Sequence, residues 1–285
     1  MKLKSNKREF FWGWLMVLPT VVGLLVLNII PMIQTIYQSF FKTGDFGRGN
    51  VFIGLSNYEK LLQDQEVLQA LLNTFKYAIM EVPISIFISL LLAVILNKKM
   101  RGRSIYRTIF FTPMVAAPAA VAMVWRWLYN SEYGLFNQII RNLGGNPVQW
   151  LTNPNLAIVC IAVIGIWSIL GYNMVLFLSG LQEVPKDYYE AARIDGANEI
   201  TQFFRITLPL ISPTMFFVTV TRTIAALQCF DLVFMLMERA NAALPKTQTI
   251  VFLFYKYSFV QNNKGYGAAI GDYPKDCINL QTDVR

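Results

Sequence analysis

The chain contains no histidine, few cysteines and few charged residues for its length. Without histidine it lacks the commonest general base and a frequent metal ligand. Its three cysteines, Cys160, Cys229 and Cys277, are widely separated and offer neither metal-ligand spacing nor a disulfide framework, so packing is the role we expect for them. The GxxxxGK[ST] pattern of an ATP-binding P-loop is missing. These absences argue against a membrane-embedded enzyme, and we expect no catalytic residue, no metal site and no cofactor.

The chain is rich in long apolar runs and poor in charged residues. Hydrophobic residues make up 55% of the 285 positions and charged residues 15%, so a water-soluble fold would have too little polar surface. The 25 basic residues outnumber the 17 acidic ones, which would also suit a nucleic-acid binder. The basic residues cluster beside apolar runs, however, as membrane topology requires. The composition therefore predicts an integral membrane protein without a nucleic-acid partner.

The apolar runs predict five membrane-spanning helices. They cover about residues 10–31, 73–96, 105–129, 156–178 and 208–237, and we expect Pro113 and Pro118 to kink the third. The first run is too long for a signal-peptide core and has no cleavage site, so it is expected to be retained. Residues 97–107 include five basic residues and no acid, which places this short loop in the cytoplasm and, with it, the N-terminus.

A polar segment, residues 183–214, lies between the fourth and fifth runs. Pro185 suits the start of a helix, and Gly196 is expected to loosen or end it. At helical spacing, one face of this helix has small residues at its centre and polar groups at its ends: Tyr188, Ala191, Ala192, Asp195, Gly196 and Glu199. Such a face suits close docking against another protein surface. The alternative is an ordinary amphipathic connector.

Three elements of this segment carry a resemblance to a known family. Glu190-Ala191-Ala192, then Asp195-Gly196-Ala197, then Ile206-Thr207-Leu208-Pro209 resemble the EAA loop of bacterial ABC importer permeases. With Leu181 to Pro185, Tyr189 and the FxGLxNY-like stretch from Phe52 to Tyr58, the chain is similar to the carbohydrate-type permeases of maltose and multiple-sugar importers. The resemblance covers about residues 10–270 and implies an all-α polytopic membrane helical bundle, the type I importer permease fold, which has six spans in the family.

The family pattern divides the chain into four parts. It implies a cytoplasmic N-terminus at 1–9, a transmembrane permease domain at 10–237 with a cytoplasmic EAA coupling loop at 181–207, and an external segment at 238–270. Residues 271–285 form a polar tail that diverges from the family and contains Pro274, where the last span should lie. We therefore expect five full spans and a stub, with a non-functional truncated permease as one alternative.

The resemblance also implies a function and a set of partners. The chain is expected to be the permease subunit of an ATP-binding-cassette importer for a sugar or oligosaccharide, in the bacterial cytoplasmic (inner) membrane. It would pair with a second permease subunit, dock on an ATPase dimer and receive substrate from an extracellular or periplasmic solute-binding protein. A glycerol-phosphate-type anionic substrate is the alternative. The residues carried over as the ATPase-coupling set are Tyr189, Glu190, Ala191, Ala192, Asp195, Gly196, Ala197 and Pro209.

Polar and aromatic side chains in the fourth and fifth spans are candidates for the substrate path. Sugars are neutral and rich in hydroxyls, so their sites combine hydrogen-bonding groups with aromatic faces. The two spans offer Trp167, Ser168, Gly171, Tyr172, Asn173, Thr219, Thr221, Thr223, Gln228 and Asp231. We predict Tyr172, Asn173 and Gln228 as path residues, with hydrogen bonding between helices as the competing role.

Two charged residues fall inside predicted spans, Glu81 in the second and Arg222 in the fifth. An unpaired charge in a bilayer is expensive, so each should face a partner or a cavity. Two pairings are open: Glu81 with Arg222, or Arg222 with Asp231. A functional alternative is that Arg222 meets an anionic substrate.

Overall fold

The computed structural model describes residues 7–44, 50–98 and 101–279. Residues 1–6, 45–49, 99–100 and 280–285 lie outside the described part, and with them Lys2, Lys4, part of the predicted external loop and the end of the polar tail. The described helices are α1 (Lys7–Leu24), α2 (Ile30–Ser39), α3 (Ser56–Gln63), α4 (Gln65–Asn97), α5 (Arg103–Val115), α6 (Pro118–Leu128), α7 (Leu135–Asn142), α8 (Ala157–Glu183), α9 (Lys186–Ile194), α10 (Glu199–Gln202), α11 (Leu208–Leu210), α12 (Ser212–Leu227), α13 (Asp231–Leu236), α14 (Ile250–Tyr255) and α15 (Lys264–Asn279). Strands β1 (Phe41–Thr43) and β2 (Asn50–Phe52) form an antiparallel pair.

Residues 1–67 and 253–285 form one compact unit. A π turn at Leu25–Ile29 joins α1 to α2, giving a continuous apolar helix over Phe10–Ser39. Helix α15 packs against α2, β1 and α3, and Gly265 permits this because a Cβ there would come within 1.8 Å of the Phe41 carbonyl oxygen. Helix α15 continues through residues 271–279, so the first part of the predicted polar tail is helical.

Residues 68–252 form the second unit, which holds most of α4 and all of α5 to α13. Its buried apolar side chains lie in two clusters. One surrounds Tyr77, Val82 and Ile161, and the other surrounds Leu90, Phe177 and Val218. Helices α4 and α8 contribute to both clusters, which identifies them as the central helices of this unit.

Three described helices are long and apolar enough to cross a membrane alone: Phe10–Ser39, Gln65–Asn97 and Ala157–Glu183. Two bent pairs bring the number to as many as five, in agreement with the five apolar runs. Helices α5 and α6 meet at 97°, so the chain bends at Pro118 as predicted, sharply enough to break the helix, whereas Pro113 lies inside α5. Ala116 and Ala117 are extended there, because the residue before a proline avoids the helical region and Pro118 has no N–H to donate.

The predicted fifth span, residues 208–237, is not one continuous helix. A bend of 68° separates the helical segment Glu199–Leu210 from α12, and α12 ends at Leu227. Residues 228–230 are not helical, and α13 begins at Asp231. The Cys229 carbonyl accepts a hydrogen bond from Thr249 Oγ1 at 2.6 Å, so a tertiary partner satisfies a group that a continuous helix would have paired internally.

Candidate functional site

Residues 184–207, between α8 and α11, form a segment that we name the EAA segment. Helix α8 ends at Glu183 because Val184 is extended before Pro185, and Pro185 is itself extended before α9. Helix α9 therefore begins at Lys186, one residue after the predicted start. The chain thus changes direction sharply at the end of a long apolar helix and presents a short polar one.

Helix α9 ends in a Schellman motif at Gly196. Gly196 has a φ of +76°, its N–H donates to the Arg193 carbonyl oxygen at 3.1 Å, and the Ala197 N–H donates to the Ala192 oxygen at 2.8 Å. A side chain at this φ is strained, although a Cβ on Gly196 would meet nothing within 4 Å. The predicted helix end at Gly196 is confirmed. Glu199, expected on the face of the same helix, instead begins α10.

Side-chain hydrogen bonds fix α10 to the turn before it and α9 to the π turn that follows α10. Asn198 caps α10 by accepting from the Thr201 N–H at 2.8 Å, and the buried Gln202 amide donates back to the Ala197 carbonyl oxygen at 2.8 Å. The Tyr189 hydroxyl lies 2.9 Å from Thr207 Oγ1, which ties α9 to the π turn Phe203–Thr207. These tethers make the EAA segment a structured helix–turn–helix.

The EAA segment is polar overall, but it exposes three large apolar side chains. Ile194 is 87% exposed, Ile200 69% and Phe204 61%. Among the predicted coupling residues, Glu190, Ala191, Asp195, Gly196 and Pro209 are exposed, Ala192 and Ala197 are half-buried, and Tyr189 is half-buried by its contact with Thr207. Sequence reasoning missed Ile194, Ile200 and Phe204. The available signal was three large apolar residues in a segment that is otherwise charged and polar.

A cavity of about 230 Å³ lies among the broken helices of the second unit. Its walls come from α4 (Tyr77), the α5–α6 break (Ala116 and Pro118), α8 (Ser168), α12 (Arg222) and α13 (Asp231). Gly165 of α8 also lines it, and a Cβ there would come within 2.3 Å of the Tyr77 hydroxyl. The cavity thus brings together hydroxyl groups, a guanidinium and a carboxylate on apolar walls.

Arg222 is held in this cavity wall by Glu81. The Arg222 Nη2 atom donates to Glu81 Oε1 at 2.5 Å, with 14% of the arginine side chain exposed and none of the glutamate. This confirms the first of the alternatives considered for the two charges within the spans. A buried carboxylate paired with an arginine fits the rule that charges inside a membrane protein face a partner or a cavity.

The three predicted path residues do not line this cavity. Tyr172 and Gln228 are exposed on the surface of the chain. Asn173 is fully buried, and within the described part of the chain neither atom of its amide has a hydrogen-bond partner. The hydroxyls of Thr219, Thr221 and Thr223 donate to backbone carbonyls of their own helix. The cavity instead uses Ser168 and Asp231, which belonged to the wider set of polar candidates.

Comparisons with known proteins identify the family of this chain. Residues 82–271 match the family model for the binding-protein-dependent transport system inner membrane component. The trehalose/maltose transport system permease protein MalF of Thermococcus litoralis is 34% identical over 267 residues, which cover 94% of this chain and 90% of that protein. The sn-glycerol-3-phosphate transport system permease protein UgpA of Agrobacterium fabrum is 33% identical over 260 residues, covering 90% and 87%.

A solved structure shows the same fold. The crystal structure of a bacterial ABC transporter involved in the import of the acidic polysaccharide alginate aligns with a TM-score of 0.85 at 22% identity, covering 98% of this chain and 95% of that one. The family match and the sequence relatives show that this chain is a transport permease subunit, which is not itself catalytic. The chain therefore belongs to the family of binding-protein-dependent transport system inner membrane components, and it is a multi-pass permease subunit of an ABC importer.

Proposed function

We propose that this permease imports a sugar or oligosaccharide that an external binding protein delivers, and that an ATPase dimer drives it through the EAA segment. The observation that carries the coupling role is the capped α9–α10 element, with its exposed Ile194, Ile200 and Phe204. A partner that closes on these side chains would bury apolar surface, which favours docking. The N-terminus and the EAA segment then lie in the cytoplasm, and a second, similar permease completes the pathway.

Force applied to the EAA segment has a direct route into the second unit. Helix α9 follows α8 after only Val184 and Pro185, and Tyr189 links it to the turn that leads into α11 and α12. Helices α8 and α12 both line the cavity, through Ser168 and Arg222. A rigid displacement of the segment would therefore move two cavity walls together, as alternating access requires. Glu190 and Asp195 supply polar anchoring, while Ala191, Ala192, Ala197 and Gly196 permit close approach and Pro209 lies near the start of the next helix.

The substrate class rests on the motifs and the relatives. MalF is named for trehalose and maltose, and the EAA and FxGLxNY-like stretches resemble those of the carbohydrate-type permeases. UgpA is named for sn-glycerol 3-phosphate at nearly the same identity, so an anionic polyol phosphate is the second candidate. Tyr172, Asn173 and Gln228 remain predicted path residues, to be tested by substitution.

The coupling role is tested by replacing Gly196 with tryptophan in cells that express the complete transporter, with radiolabelled maltose and trehalose as probes. We expect uptake to fall at least tenfold while membrane insertion is unchanged, because the bulky side chain would obstruct docking. Gly144 is the matched control: it also has a positive φ, +82°, and a Cβ there would meet nothing within 4 Å, but it lies in the loop after α7. Equal uptake by Gly196→Trp and Gly144→Trp would contradict the proposal.

The orientation is tested separately with Ala191→Cys, since Ala191 is exposed. A membrane-impermeant maleimide should label this cysteine in inside-out vesicles and leave it unlabelled in intact cells. Labelling from outside intact cells would place the EAA segment out of reach of an ATPase.

A further inference from the structure

The two members of the ion pair at the cavity differ in their exposure. Arg222 reaches the cavity wall, whereas Glu81 is completely buried behind it and is 0% exposed. Glu81 Oε1 accepts from Arg222, and Oε2 has no hydrogen-bond partner within the described part of the chain. The buried carboxylate thus has the arginine as its charge partner.

The charges around the cavity consequently sum to a negative value. Arg222 contributes one positive charge, and Glu81 and Asp231 contribute one negative charge each, so the group carries one net negative charge. An unneutralised arginine in such a wall would be a receptor for phosphate or carboxylate. Here its charge is already balanced, while hydrogen-bond donors on the guanidinium remain suited to hydroxyl oxygens.

We propose that Glu81 determines the charge selectivity of the cavity. By neutralising Arg222, Glu81 lets the cavity accept uncharged, hydroxyl-rich substrates and disfavours anionic ones such as polyol phosphates. This inference rests on the proposed import function and narrows its substrate class. Placed in the cavity, a phosphate would face Arg222 and Asp231 and would also be repelled by the charge of Glu81 behind the wall. A sugar hydroxyl in the same place can accept from Arg222 or bond to Ser168 without any cost in net charge.

The inference is testable on the purified full chain in nanodiscs, without partners or substrate. Ser168→Cys, in a chain carrying Cys277→Ala, places a thiol in the cavity wall, and its reaction rates with a cationic and an anionic methanethiosulfonate are compared at fixed ionic strength. Replacing Glu81 by Gln removes one negative charge near the thiol. We expect the ratio of anionic to cationic rate to rise at least about tenfold. A thiol placed at Leu143, which is exposed in the loop after α7, is the control and should show no change.

The double variant Glu81→Gln/Arg222→Gln keeps the test decisive if the single variant fails to fold. Because the pair contributes no net charge, this variant should react with the same rate ratio as the natural pair. A ratio about tenfold lower in the double variant would show that Arg222 acts as an uncompensated anion receptor. An unchanged ratio in a folded Glu81→Gln variant would also overturn the inference.

Transport measurements separate this inference from the proposed function. If maltose and trehalose are imported but the thiol reactivity does not follow the charges, charge selection by Glu81 fails and sugar import stands. If the reactivity follows the charges but cells import a neutral solute that is not a sugar, the proposed substrate class fails and charge selection by Glu81 stands. Import of sn-glycerol 3-phosphate would overturn both.

Discussion

Two ion pairs in the second unit have similar geometry and very different surroundings. Glu81 and Arg222 join α4 to α12 at 2.5 Å, with side chains 0% and 14% exposed. Lys98, after the end of α4, and Glu199, at the start of α10, join at 2.8 Å with side chains 64% and 82% exposed. Their N–O distances alone would suggest that the two ion pairs are equally strong.

Burial decides how strongly each pair holds together the two segments that it joins. Water and salt screen the exposed pair, so its attraction is weak and Lys98 can release the EAA segment at little cost. The buried pair has no solvent to replace a lost partner, so each member depends on the other. Arg222 is therefore held firmly in the cavity wall, whereas the EAA segment is tied to the basic loop by a contact that breaks easily, which suits its proposed movement.

The largest expected effect comes from breaking the buried pair. Arg222→Met leaves the Glu81 carboxylate buried without its partner, and the free energy of unfolding should fall by about 3–5 kcal/mol. Thermal unfolding of the purified protein in detergent measures this change. The double variant Glu81→Gln/Arg222→Met should recover most of the loss. A comparable loss in Lys98→Met would refute the distinction between the two pairs.

An intermediate effect is expected from overfilling the helix contact beside the cavity. A Cβ on Gly171 of α8 would come within 2.0 Å of the Phe110 carbonyl oxygen of α5, so Gly171→Ala should lower the free energy of unfolding by about 1–3 kcal/mol. Chemical or thermal unfolding would detect it. Gly13→Ala serves as control, since a Cβ at Gly13 in α1 meets nothing within 4 Å and alanine favours a helix. Similar destabilisation by both substitutions would show that close packing is not the cause.

The smallest effect is expected at the exposed pair. Lys98→Met should leave the unfolding temperature unchanged within error at physiological salt, because both side chains remain largely in water. Any difference should emerge only at low ionic strength. Repeating the unfolding measurement across a salt series provides the test, with Lys186→Met in α9 as a second exposed lysine. A large loss that persists at high salt would mean that the pair is structurally essential.

Local patterns predicted those features that depend on nearby residues. The apolar runs identified the spanning helices, and Gly196 marked the end of α9 because a left-handed residue there costs glycine little. Composition also required a partner for Glu81 and Arg222, and pairing with one another was among the alternatives. They are 141 positions apart in the chain, so only the packing of α4 against α12 selected that alternative.

The helix break at residues 228–230 and the exposure of individual side chains depended on contacts between residues far apart in the chain. The break at residues 228–230 is coupled to a hydrogen bond from Thr249, twenty residues away. Tyr172 and Asn173 are neighbours in sequence, yet α8 exposes the first and buries the second, and neither reaches the cavity. Ile194, Ile200 and Phe204 are exposed in the folded EAA segment although they are apolar, which their hydropathy alone would not predict.

Hydropathy, backbone preference and short motifs act over a few residues, so they were enough to predict the membrane class, the approximate helical spans, the family and the turn at Gly196. The tertiary structure decided which charge pairs with which, where two spans break and which side chains face the cavity. Those choices follow from helix packing, in which residues far apart in the chain compete for the same few positions.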